Sequence, residues 1–326
     1  MTRIAVIDDY QGVAHRMTDW DSLPAGTQVD FYPDHLSDHD ALVERLKDYE
    51  IVQLMRERTP FQKKLLDALP KLELLSGTGR GHYGSVDTKY AAQKGIVLTG
   101  TAGSGGSVEE LAWGLILALV KKLPQEDKTT REGPWQTLIS PTLANRTLGI
   151  IGLGRLGKRM AQIGLAFNMN IIAWSPWLTD ERAAEQGAKR VSREEFFSTS
   201  DVITVQIPLT DESRGLITAE DFGRMKPSSY FINTSRGPIA NEDALIKVLQ
   251  EGKIAGAGLD VFDVEPLPAG HPFLTLENTL LTPHIGFVSE ENYHAFYGNA
   301  LDNIKAYLAG EPINMINPDA MQNRKG

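Results

Sequence analysis

The stretch Arg146-Thr-Leu-Gly-Ile-Ile-Gly-Leu-Gly-Arg-Leu-Gly157 decides the fold of this chain. It reads as a short apolar strand, a glycine-rich turn and the start of an amphipathic helix, in that order. In this context Gly152, Gly154 and Gly157 predict a dinucleotide-binding turn, with an ordinary βα turn as the alternative. The glycines allow a tight turn, close approach of the backbone to a pyrophosphate and close packing of helix on strand. The N–H groups at the helix start would face the phosphates.

The composition indicates a globular chain that is too long for one small core. Its 326 residues are 41% hydrophobic and 23% charged, which suits two domains. No window approaches the roughly 18 apolar residues of a membrane span, and the N-terminus reads as a strand, not as a signal peptide. The absence of cysteine excludes disulfides and thiolate metal sites. We therefore expect a cytoplasmic protein without a membrane contact. The net charge of −9 argues against nucleic acid as a binding partner.

Strand and helix signals alternate along the first hundred residues. Apolar runs predict strands at 4–7, 29–32, 51–55, 72–75 and 96–99, and helical spacing predicts helices at 40–49 and 61–69. This βα alternation predicts a parallel sheet with helices on its faces. Residues 100–107 are rich in glycine and serine and resemble a linker, and a strongly apolar helix is predicted at 108–120. A polar segment, 121–145, follows that helix.

A second alternating series begins at the glycine turn. Its later strands are predicted at 171–175, 202–206, 230–233, 256–260 and 279–282. Ser192, Thr218 and Ser289 are predicted helix caps, and the helix after Ser289 lies beyond the last strand. We expect this helix to return to the first domain, although it could cover its own sheet instead. The expected domains are 1–100 with 288–326, and 101–287 as the dinucleotide-binding domain, with a ligand cleft between the two lobes.

Three polar residues, each following a predicted strand, suit hydrogen transfer at a carbon–oxygen bond. Such chemistry needs an acid/base, a partner that tunes it and a cation that holds the substrate. His284 is an acid/base by type, since histidine titrates near neutrality. Glu265 is its candidate partner, and Arg236 can bind a carboxylate through two parallel hydrogen bonds. Ligands of open α/β sheets bind at the carboxyl ends of the strands, where all three residues are expected.

Each of the three also has a simpler structural explanation. His284 could be a loop residue, Glu265 a surface acid, and Arg236 a cap on a carbonyl or a solvated side chain. Their occurrence at successive strand ends favours the catalytic interpretation. No nucleophile elbow, HExxH pair or P-loop lysine competes with it, and we expect no metal site.

The chain resembles the D-isomer-specific 2-hydroxyacid dehydrogenases along nearly its whole length. The resemblance rests on the glycine turn and on Ile207-Pro-Leu-Thr210, Ile232-Asn-Thr-Ser-Arg-Gly237, Gly258-Leu-Asp-Val-Phe262, Glu265-Pro266 and Thr282-Pro-His-Ile-Gly286. It implies a Rossmann-type doubly wound parallel sheet inserted into a second, smaller flavodoxin-like α/β domain. It also implies hydride transfer between NAD(P) and C2 of a D-2-hydroxy or 2-oxo acid, and a homodimer.

The same resemblance implies roles for individual residues. His284 would be the acid/base, Glu265 its orienting partner and Arg236 the carboxylate clamp. Asp260 would contact the nicotinamide carboxamide. The cofactor would be lined by Gly152, Gly154, Arg155, Leu156, Gly157, Ser175, Pro208, Ser213, Thr234, Ser235 and Arg236.

The substrate loop would be Ser76–Gly84, in which Gly79, Arg80 and Gly81 would receive the substrate carboxylate. Without the resemblance this stretch is a glycine-rich turn, although such backbone suits an anion. Arg56 and Arg58 could add positive charge at the cleft, but a local ion-pair surface is the favoured interpretation.

Ser175 departs from the usual pattern. It lies about 20 residues after the glycines, where NAD enzymes carry an acid that pairs with the ribose hydroxyls. Serine cannot make that pair, yet it also does not repel the 2′-phosphate of NADP. Because no arginine adjoins Ser175 and Arg182 lies seven positions on, we expect weak discrimination with NAD slightly favoured over NADP.

A nucleotide-sensing binding protein of the corepressor type, built on the same fold, is the alternative from another functional class. Arg236, Glu265 and His284 are all present, which favours the enzyme. Formate dehydrogenase and a serine-regulated phosphoglycerate dehydrogenase are less expected, because the additional segments that mark them are not found in this sequence. The substrate cannot be read from these residues.

Overall fold

The strands of the chain lie in two parallel sheets. The structure is a computed structural model and describes residues 1–79 and 84–324. The strands are β1 (Thr2–Val6), β2 (Thr27–Phe31), β3 (Ile51–Leu54), β4 (Leu74–Gly77), β5 (Val97–Thr99), β6 (Thr147–Ile151), β7 (Asn170–Trp174), β8 (Lys189–Arg190), β9 (Val202–Val205), β10 (Tyr230–Asn233), β11 (Gly256–Leu259) and β12 (Thr279–Leu281). The helices are α1 (Ala14–Met17), α2 (His39–Leu46), α3 (Lys63–Ala68), α4 (Thr88–Gln93), α5 (Ser107–Val120), α6 (Leu123–Glu132), α7 (Arg155–Ala166), α8 (Asp180–Ala184), α9 (Arg193–Thr199), α10 (Ala219–Arg224), α11 (Glu242–Gln250) and α12 (Glu290–Leu308).

The first unit contains Met1–Gly105 and the chain from Val288 onward. Its strands are parallel and lie in the order β2-β1-β3-β4-β5, which is the flavodoxin-like order. Leu46, Phe61 and Leu75 are among the buried side chains on one face of this sheet, where α2, α3 and α4 pack together. Helix α12 packs against α1 and β4.

The second unit, Gly106–Phe287, contains the glycine turn. Its strands are parallel and lie in the order β12-β11-β10-β9-β6-β7-β8. If the seven strands are numbered in chain order from β6, their order across the sheet is 3-2-1-4-5-6-7. The first six strands in this order match the Rossmann fold. This unit has two clusters of buried hydrophobic side chains. One contains the rings of Phe196, Phe222 and Phe231, and the other contains the buried apolar side chains of α5. The predicted α/β class with a Rossmann-type parallel sheet is confirmed.

Residues 101–105, which we expected in the dinucleotide-binding domain, group with the first unit. The reason lies in their hydrogen bonds. The N–H of Thr101 donates to the carbonyl of Gly79 at 3.1 Å, and the N–H of Gly79 donates to Oγ1 of Thr101 at 2.8 Å. The N–H of Ser104 donates to Oδ1 of Asn292 on α12 at 2.9 Å. These bonds fix the glycine-rich segment to the first sheet and to α12.

Helix boundaries follow from local capping. Oγ of Ser192 accepts the N–H of Glu195 at 3.1 Å, and Thr218 forms a reciprocal capping box with Asp221. Oγ of Ser289 accepts the N–H of Asn292 at 3.2 Å and so begins α12. The three predicted caps are confirmed.

Helix α6 and strand β8 are among the elements that were not anticipated from the sequence. Helix α6 lies in the segment that we described only as polar, and Pro124 stands in its first turn, where proline is well tolerated. Gly133, with φ of 108°, ends this helix. Strand β8 has two exposed residues and pairs with β7 at the edge of the sheet. Both elements carry little apolar periodicity, which is why the pattern missed them.

Helix α5 is buried within its own unit along one side. Ala112, Trp113, Leu115, Ile116 and Leu119 face the sheet, and the backbone of β11 comes close to them. A Cβ built on Gly258 of β11 would lie 3.1 Å from Cβ of Leu115, so this glycine permits the contact. Over residues 1–79 and 84–324, the chain has no helix that is both long and apolar enough to cross a membrane.

Candidate active site

The sequence-predicted residues of the second unit lie at one edge of its sheet. Because the strands are parallel, their carboxyl ends meet there. Strands β10, β11 and β12 are direct neighbours, and they lead into Arg236, Asp260 and His284. Strands β6 and β7 are also neighbours, and the N–H of Gly152 donates to the carbonyl of Trp174 at 3.1 Å. Ser175 therefore follows a strand end beside the glycine turn.

The three glycines of the turn have different surroundings. Gly152 has φ of 89°, and a Cβ on it would lie 2.2 Å from Cγ2 of Ile207. A Cβ on Gly157 would lie 2.0 Å from the carbonyl oxygen of Gly152, so the helix packs directly on the turn. Gly154 is different, because a Cβ there would meet no heavy atom within 4 Å. The open side at Gly154 is the side at which a pyrophosphate could approach the backbone.

Arg155 and Leu156 are the first residues of α7. The side chain of Arg155 is 72% exposed, and its Nη1 lies 3.8 Å from Oε1 of the buried Glu109 on α5. Oε2 of Glu109 has no hydrogen-bond partner among the described residues. The first turn of a helix also presents N–H groups that its own carbonyls do not satisfy. The start of α7 therefore combines the positively charged, exposed side chain of Arg155 with backbone N–H donors, and both features favour the binding of an anion.

The loop after β9 is held by Ser213. Its hydroxyl donates to the carbonyl of Pro208 at 2.7 Å and accepts the N–H of Thr210 at 2.7 Å. The side chain of Ser213 is buried, whereas Pro208 is exposed. The buried Ser213 therefore holds the loop together through its hydrogen bonds, and Pro208 lies on the surface of the loop.

The turn after β10 presents Arg236. The side-chain amide of Asn233 accepts the N–H of Ser235 and donates to the carbonyl of Arg236, each at 3.0 Å. The hydroxyl of Ser235 donates to the carbonyl of Ile207 in the neighbouring loop. Oγ1 of Thr234 is buried and has no hydrogen-bond partner among the described residues, so it can still bond to a ligand. Nη1 of Arg236 donates to the carbonyl of Ser235 at 2.6 Å.

His284 and Glu265 form a hydrogen-bonded pair. Nδ1 of His284 lies 2.5 Å from Oε2 of Glu265, and Oε1 of Glu265 accepts the N–H of Phe262 at 2.9 Å. The two side chains are 22% and 32% exposed. Because Nδ1 faces a carboxylate, the ring carries its proton there, and Nε2 remains without a partner among the described residues. This nitrogen is the one available for proton exchange.

Asp260 lies beneath the turn that carries His284. Its Oδ1 accepts the hydroxyl of Thr282 at 2.6 Å and the N–H of Ile285 at 2.8 Å, and its Oδ2 accepts the N–H of Gly286 at 2.8 Å. The side chain is fully buried, and this burial raises the pKa of Asp260 against the opposing effect of its donors. The structure thus shows Asp260 fixing the His284 turn, while a contact with a carboxamide stays a prediction.

The predicted substrate loop belongs to the first unit. Arg80 and Gly81 lie outside the described residues, and Gly79 is described. Gly79 has φ of 92°, and a Cβ on it would lie 2.0 Å from Nη1 of Arg56, so that guanidinium covers its backbone. Nε of Arg56 lies 3.7 Å from Oε2 of Glu57, and Nη1 of Arg58 donates to the carbonyl of Asp8 at 2.7 Å. Arg56 thus has an ion-pair partner of the kind that we favoured, whereas the bond of Arg58 to Asp8 is to a backbone carbonyl.

A second histidine–glutamate pair lies in the same unit and was not identified from the sequence. Nε2 of His271 lies 3.2 Å from Oε1 of Glu242, the first residue of α11. The signal that could have pointed to it is the position of Glu242, six residues after Arg236 and directly after the Asn241 cap. Over residues 1–79 and 84–324, no group of three or more His, Asp or Glu side chains could hold a metal ion.

Comparisons with known proteins place this geometry in context. A family model described as the NAD-binding domain of D-isomer-specific 2-hydroxyacid dehydrogenases matches residues 113–286. The chain is 34% identical over 292 residues to a glyoxylate reductase of Korarchaeum cryptofilum, with 87% of each chain covered. It is similar to the crystal structure of a phosphoglycerate oxidoreductase from Vibrio cholerae, with a TM-score of 0.90, 37% identity and coverage of 95% of this chain and 100% of that one. A D-lactate dehydrogenase from Aquifex aeolicus, solved with NAD and lactic acid, gives a TM-score of 0.74, 26% identity and coverage of 97% and 99%.

Proposed function

The chain belongs to the D-isomer-specific 2-hydroxyacid dehydrogenase family, and on that premise we propose that His284, Glu265 and Arg236 carry its reaction. As a member of this family it is an NAD-dependent oxidoreductase. The proposed reaction interconverts a small 2-oxo acid and the corresponding D-2-hydroxy acid. The observation that carries the proposal is the His284–Glu265 pair, because it leaves one imidazole nitrogen for proton exchange at the carboxyl edge of the dinucleotide sheet.

The proton transfer is assigned to Nε2 of His284. A bound nicotinamide would supply the hydride for C2 of the oxo acid, and the carbonyl oxygen then needs a proton. Protonated His284 donates that proton from Nε2 in reduction, and in oxidation neutral His284 takes it back. Glu265, bonded to Nδ1, fixes the orientation of the ring.

Arg236 is assigned to the carboxylate and carbonyl oxygens of the substrate. Its turn is fixed through Asn233 and Ser235, which limits the positions that the guanidinium can reach. Arginine binds a carboxylate through two parallel N–H donors, and its charge stabilises negative charge that develops on the carbonyl oxygen. Gly79, Arg80 and Gly81 are proposed to receive the same carboxylate from the first unit.

We propose that the dinucleotide lies along the carboxyl ends of the strands of the second unit, from Gly152 to Asp260. The open side at Gly154, the start of α7 and the unpartnered Oγ1 of Thr234 support this placement. Arg155 and Leu156 in the first turn of α7, and Ser175, Pro208 and Ser235 in loops, lie along that edge of the sheet. We propose NAD as the slightly preferred cofactor and NADP as an accepted one, because Ser175 neither pairs with the ribose as an acid would nor repels a 2′-phosphate.

The substrate proposed first is glyoxylate or hydroxypyruvate. A glyoxylate reductase covers 87% of this chain and is itself covered to 87%, and a hydroxypyruvate reductase of Blautia hydrogenotrophica covers 92% and 95% at 30% identity. Pyruvate, phenylpyruvate and 3-phosphohydroxypyruvate complete the set of oxo acids to test.

The test is an absorbance assay of NADH and NADPH oxidation with each of these five acids. We expect turnover with at least one acid and a preference between the cofactors below about a thousandfold in kcat/KM, equivalent to about 4 kcal/mol. No turnover with any acid, together with intact binding of NADH, would refute the enzyme and favour a nucleotide-sensing binding protein. A larger cofactor preference in either direction would refute the proposal for Ser175.

A homodimer is also proposed, and the cytoplasmic location stays a prediction. Leu111, Gly114 and Leu117 form the side of α5 that its own unit does not bury fully. Nearby in sequence, Trp135 is 77% exposed and Ile139 is 94% exposed. Large apolar side chains at such exposure are typical of a surface that a second copy covers. Sedimentation of the purified protein tests this proposal, and a monomer at micromolar concentration would contradict it.

A further inference from the structure

Two consecutive backbone amides connect the two histidine–glutamate pairs. The N–H of Phe262 donates to Oε1 of Glu265 at 2.9 Å, and the N–H of Asp263 donates to Oε2 of Glu242 at 3.1 Å. One carboxylate belongs to the proposed catalytic pair and the other to the second pair. The chain segment between β11 and Glu265 is therefore held at adjacent peptide groups by two different glutamates.

The second pair is fully engaged within the protein. Oε1 of Glu242 faces Nε2 of His271, and Nδ1 of His271 accepts the N–H of Phe273 at 3.4 Å. Because Nδ1 accepts a proton donor, it carries no hydrogen, and the proton on Nε2 points at Glu242. The side chains of His271 and Glu242 are 16% and 18% exposed. Both oxygens of Glu242 and both nitrogens of His271 are thus committed.

The Arg236 turn takes part in the same assembly. A Cβ built on Gly237 would lie 2.1 Å from the carbonyl carbon of Phe262 and 2.6 Å from the nitrogen of Asp263. The backbone after Arg236 therefore rests directly on the Phe262–Asp263 peptide group, whose N–H donates to Glu242 and which adjoins the Phe262 amide that donates to Glu265. Glu242 follows five residues later and returns to the same place. A shift of the 262–263 backbone would move both Glu265 and Arg236.

We infer that Glu242, held by His271, is a positioning residue for the carboxylate of Glu265 and so for the imidazole of His284. The inference rests on the function proposed above for the His284–Glu265 pair. Glu242 touches none of the reacting atoms; it acts by holding the Asp263 amide, and the adjoining Phe262 amide then presents its hydrogen to Glu265. Catalysis depends on such placement, because an error of about 1 Å can cost about a hundredfold in rate.

A simpler explanation for Glu242 is electrostatic support of its helix. An acid in the first turn stabilises a helix through the macrodipole, and Glu242 opens α11. Asp243 offers the matched control, since it is an exposed acid in the same first turn. Substituting either residue by alanine removes one negative charge from the same turn, and no hydrogen bond joins Asp243 to the 262–265 segment. The two variants differ in the bonds to Asp263 and His271, which Glu242 makes and Asp243 does not.

The first measurement compares steady-state kinetics of Glu242→Ala and Asp243→Ala. For Glu242→Ala we expect kcat to fall about tenfold while KM for the oxo acid and the Kd of NADH stay within about twofold. Asp243→Ala should keep wild-type kcat. An unchanged kcat in Glu242→Ala, or an equal loss in both variants, would overturn the inference.

Glu242→Gln and a second readout keep the test decisive if Glu242→Ala folds poorly. The glutamine carbonyl can accept from Asp263 or from His271, but not from both, so a smaller loss of kcat is expected. NMR of the cofactor-free protein follows the Nδ1–H proton of His284 directly. Its signal should move or broaden in both Glu242 variants and stay in place in Asp243→Ala; an unmoved signal would contradict the inference. Since this readout needs no turnover, it separates failure of the positioning role from failure of the proposed reaction.

Discussion

The second unit contains two histidine–glutamate pairs that look alike by residue type and differ in what they leave available. In the His284–Glu265 pair, only Nδ1 of the histidine has a hydrogen-bond partner among residues 1–79 and 84–324. In the His271–Glu242 pair, both ring nitrogens and both carboxylate oxygens are engaged. The comparison teaches that pairing an imidazole with an acid is not enough for proton exchange with a ligand, which also needs a ring nitrogen that the protein leaves available. We propose the catalytic role for His284 on that ground.

The difference begins in the backbone that carries each ring. His284 has φ of 53° in a turn that Asp260 holds through Thr282, Ile285 and Gly286. His271 precedes the 3-10 turn Pro272–Thr275 and caps it with Nδ1. A ring used as a cap has one nitrogen occupied by the chain that follows it. The positive φ at His284 is a strained position for a side chain and is tolerated here because the buried carboxylate fixes the turn.

The largest expected effect comes from removing each imidazole in turn. His284→Ala should lower turnover by about a thousandfold, since it removes the acid/base, while the Kd of NADH stays near the wild-type value. His271→Ala should lower turnover by about tenfold at most, because it acts only through Glu242. Steady-state rates with the best oxo acid measure both. Wild-type turnover in His284→Ala would end the catalytic assignment.

The next effect isolates the partner of the His284 imidazole. Glu265→Gln keeps the shape of the side chain but replaces the carboxylate by a neutral amide, a weaker acceptor for the Nδ1 proton of His284. We expect a loss of about a hundredfold in kcat, because the ring is held less firmly in one orientation. Steady-state rates with the best oxo acid check this, and the Kd of NADH should stay within about twofold of the wild-type value. A kcat close to the wild-type value would contradict the role given to Glu265.

A smaller effect is expected at the turn that lies against both pairs. Arg236→Lys keeps the positive charge and loses the two parallel donors, so kcat/KM should fall by roughly tenfold to a hundredfold. The Kd of NADH serves as the control and should change by less than about threefold. If kcat/KM is unchanged, the substrate carboxylate does not depend on Arg236.

The smallest effect concerns stability. Here we expect the His271 variant to lose more than the His284 variant, which is the reverse of their order in turnover. His271→Ala removes bonds to Glu242 and Phe273, and we expect it to lower the free energy of unfolding by about 1–2 kcal/mol. His284→Ala should cost less, because this ring is 22% exposed and has one partner. Thermal unfolding of the two variants compares them. A larger drop for His284→Ala would mean that its ring carries the more structural role.

Much of this architecture could be predicted from local patterns. The glycine turn, the strands β9 to β12 and the apolar α5 each show their signal within about ten residues of chain. The parallel order then follows, and it places Arg236, Asp260 and His284 on neighbouring strand ends. The helix caps at Ser192, Thr218 and Ser289 could be predicted for the same reason, since a capping hydrogen bond joins residues three positions apart.

What the sequence did not reveal depends on contacts between distant residues. Glu242 lies 21 residues from Asp263 and 29 from His271, and no local pattern reports either bond. The hydroxyl of Ser213 and the carboxylate of Asp260 are also engaged by their own loops, which the sequence did not indicate, and their contact with the cofactor stays a prediction. Burial and hydrogen-bond partners, which decide between a ligand contact and a scaffold contact, appear only once the loops are folded.

The most direct test is a crystal structure with NADH and oxamate, an unreactive isostere of a 2-oxo acid. The account predicts that the oxamate carbonyl oxygen accepts a hydrogen bond from Nε2 of His284, at about 2.6–3.2 Å, and that its carboxylate meets Arg236. His271 should remain bonded to Glu242 and apart from the ligand. Oxamate bound with its carbonyl away from His284, or held by His271, would contradict the assignment of the two pairs.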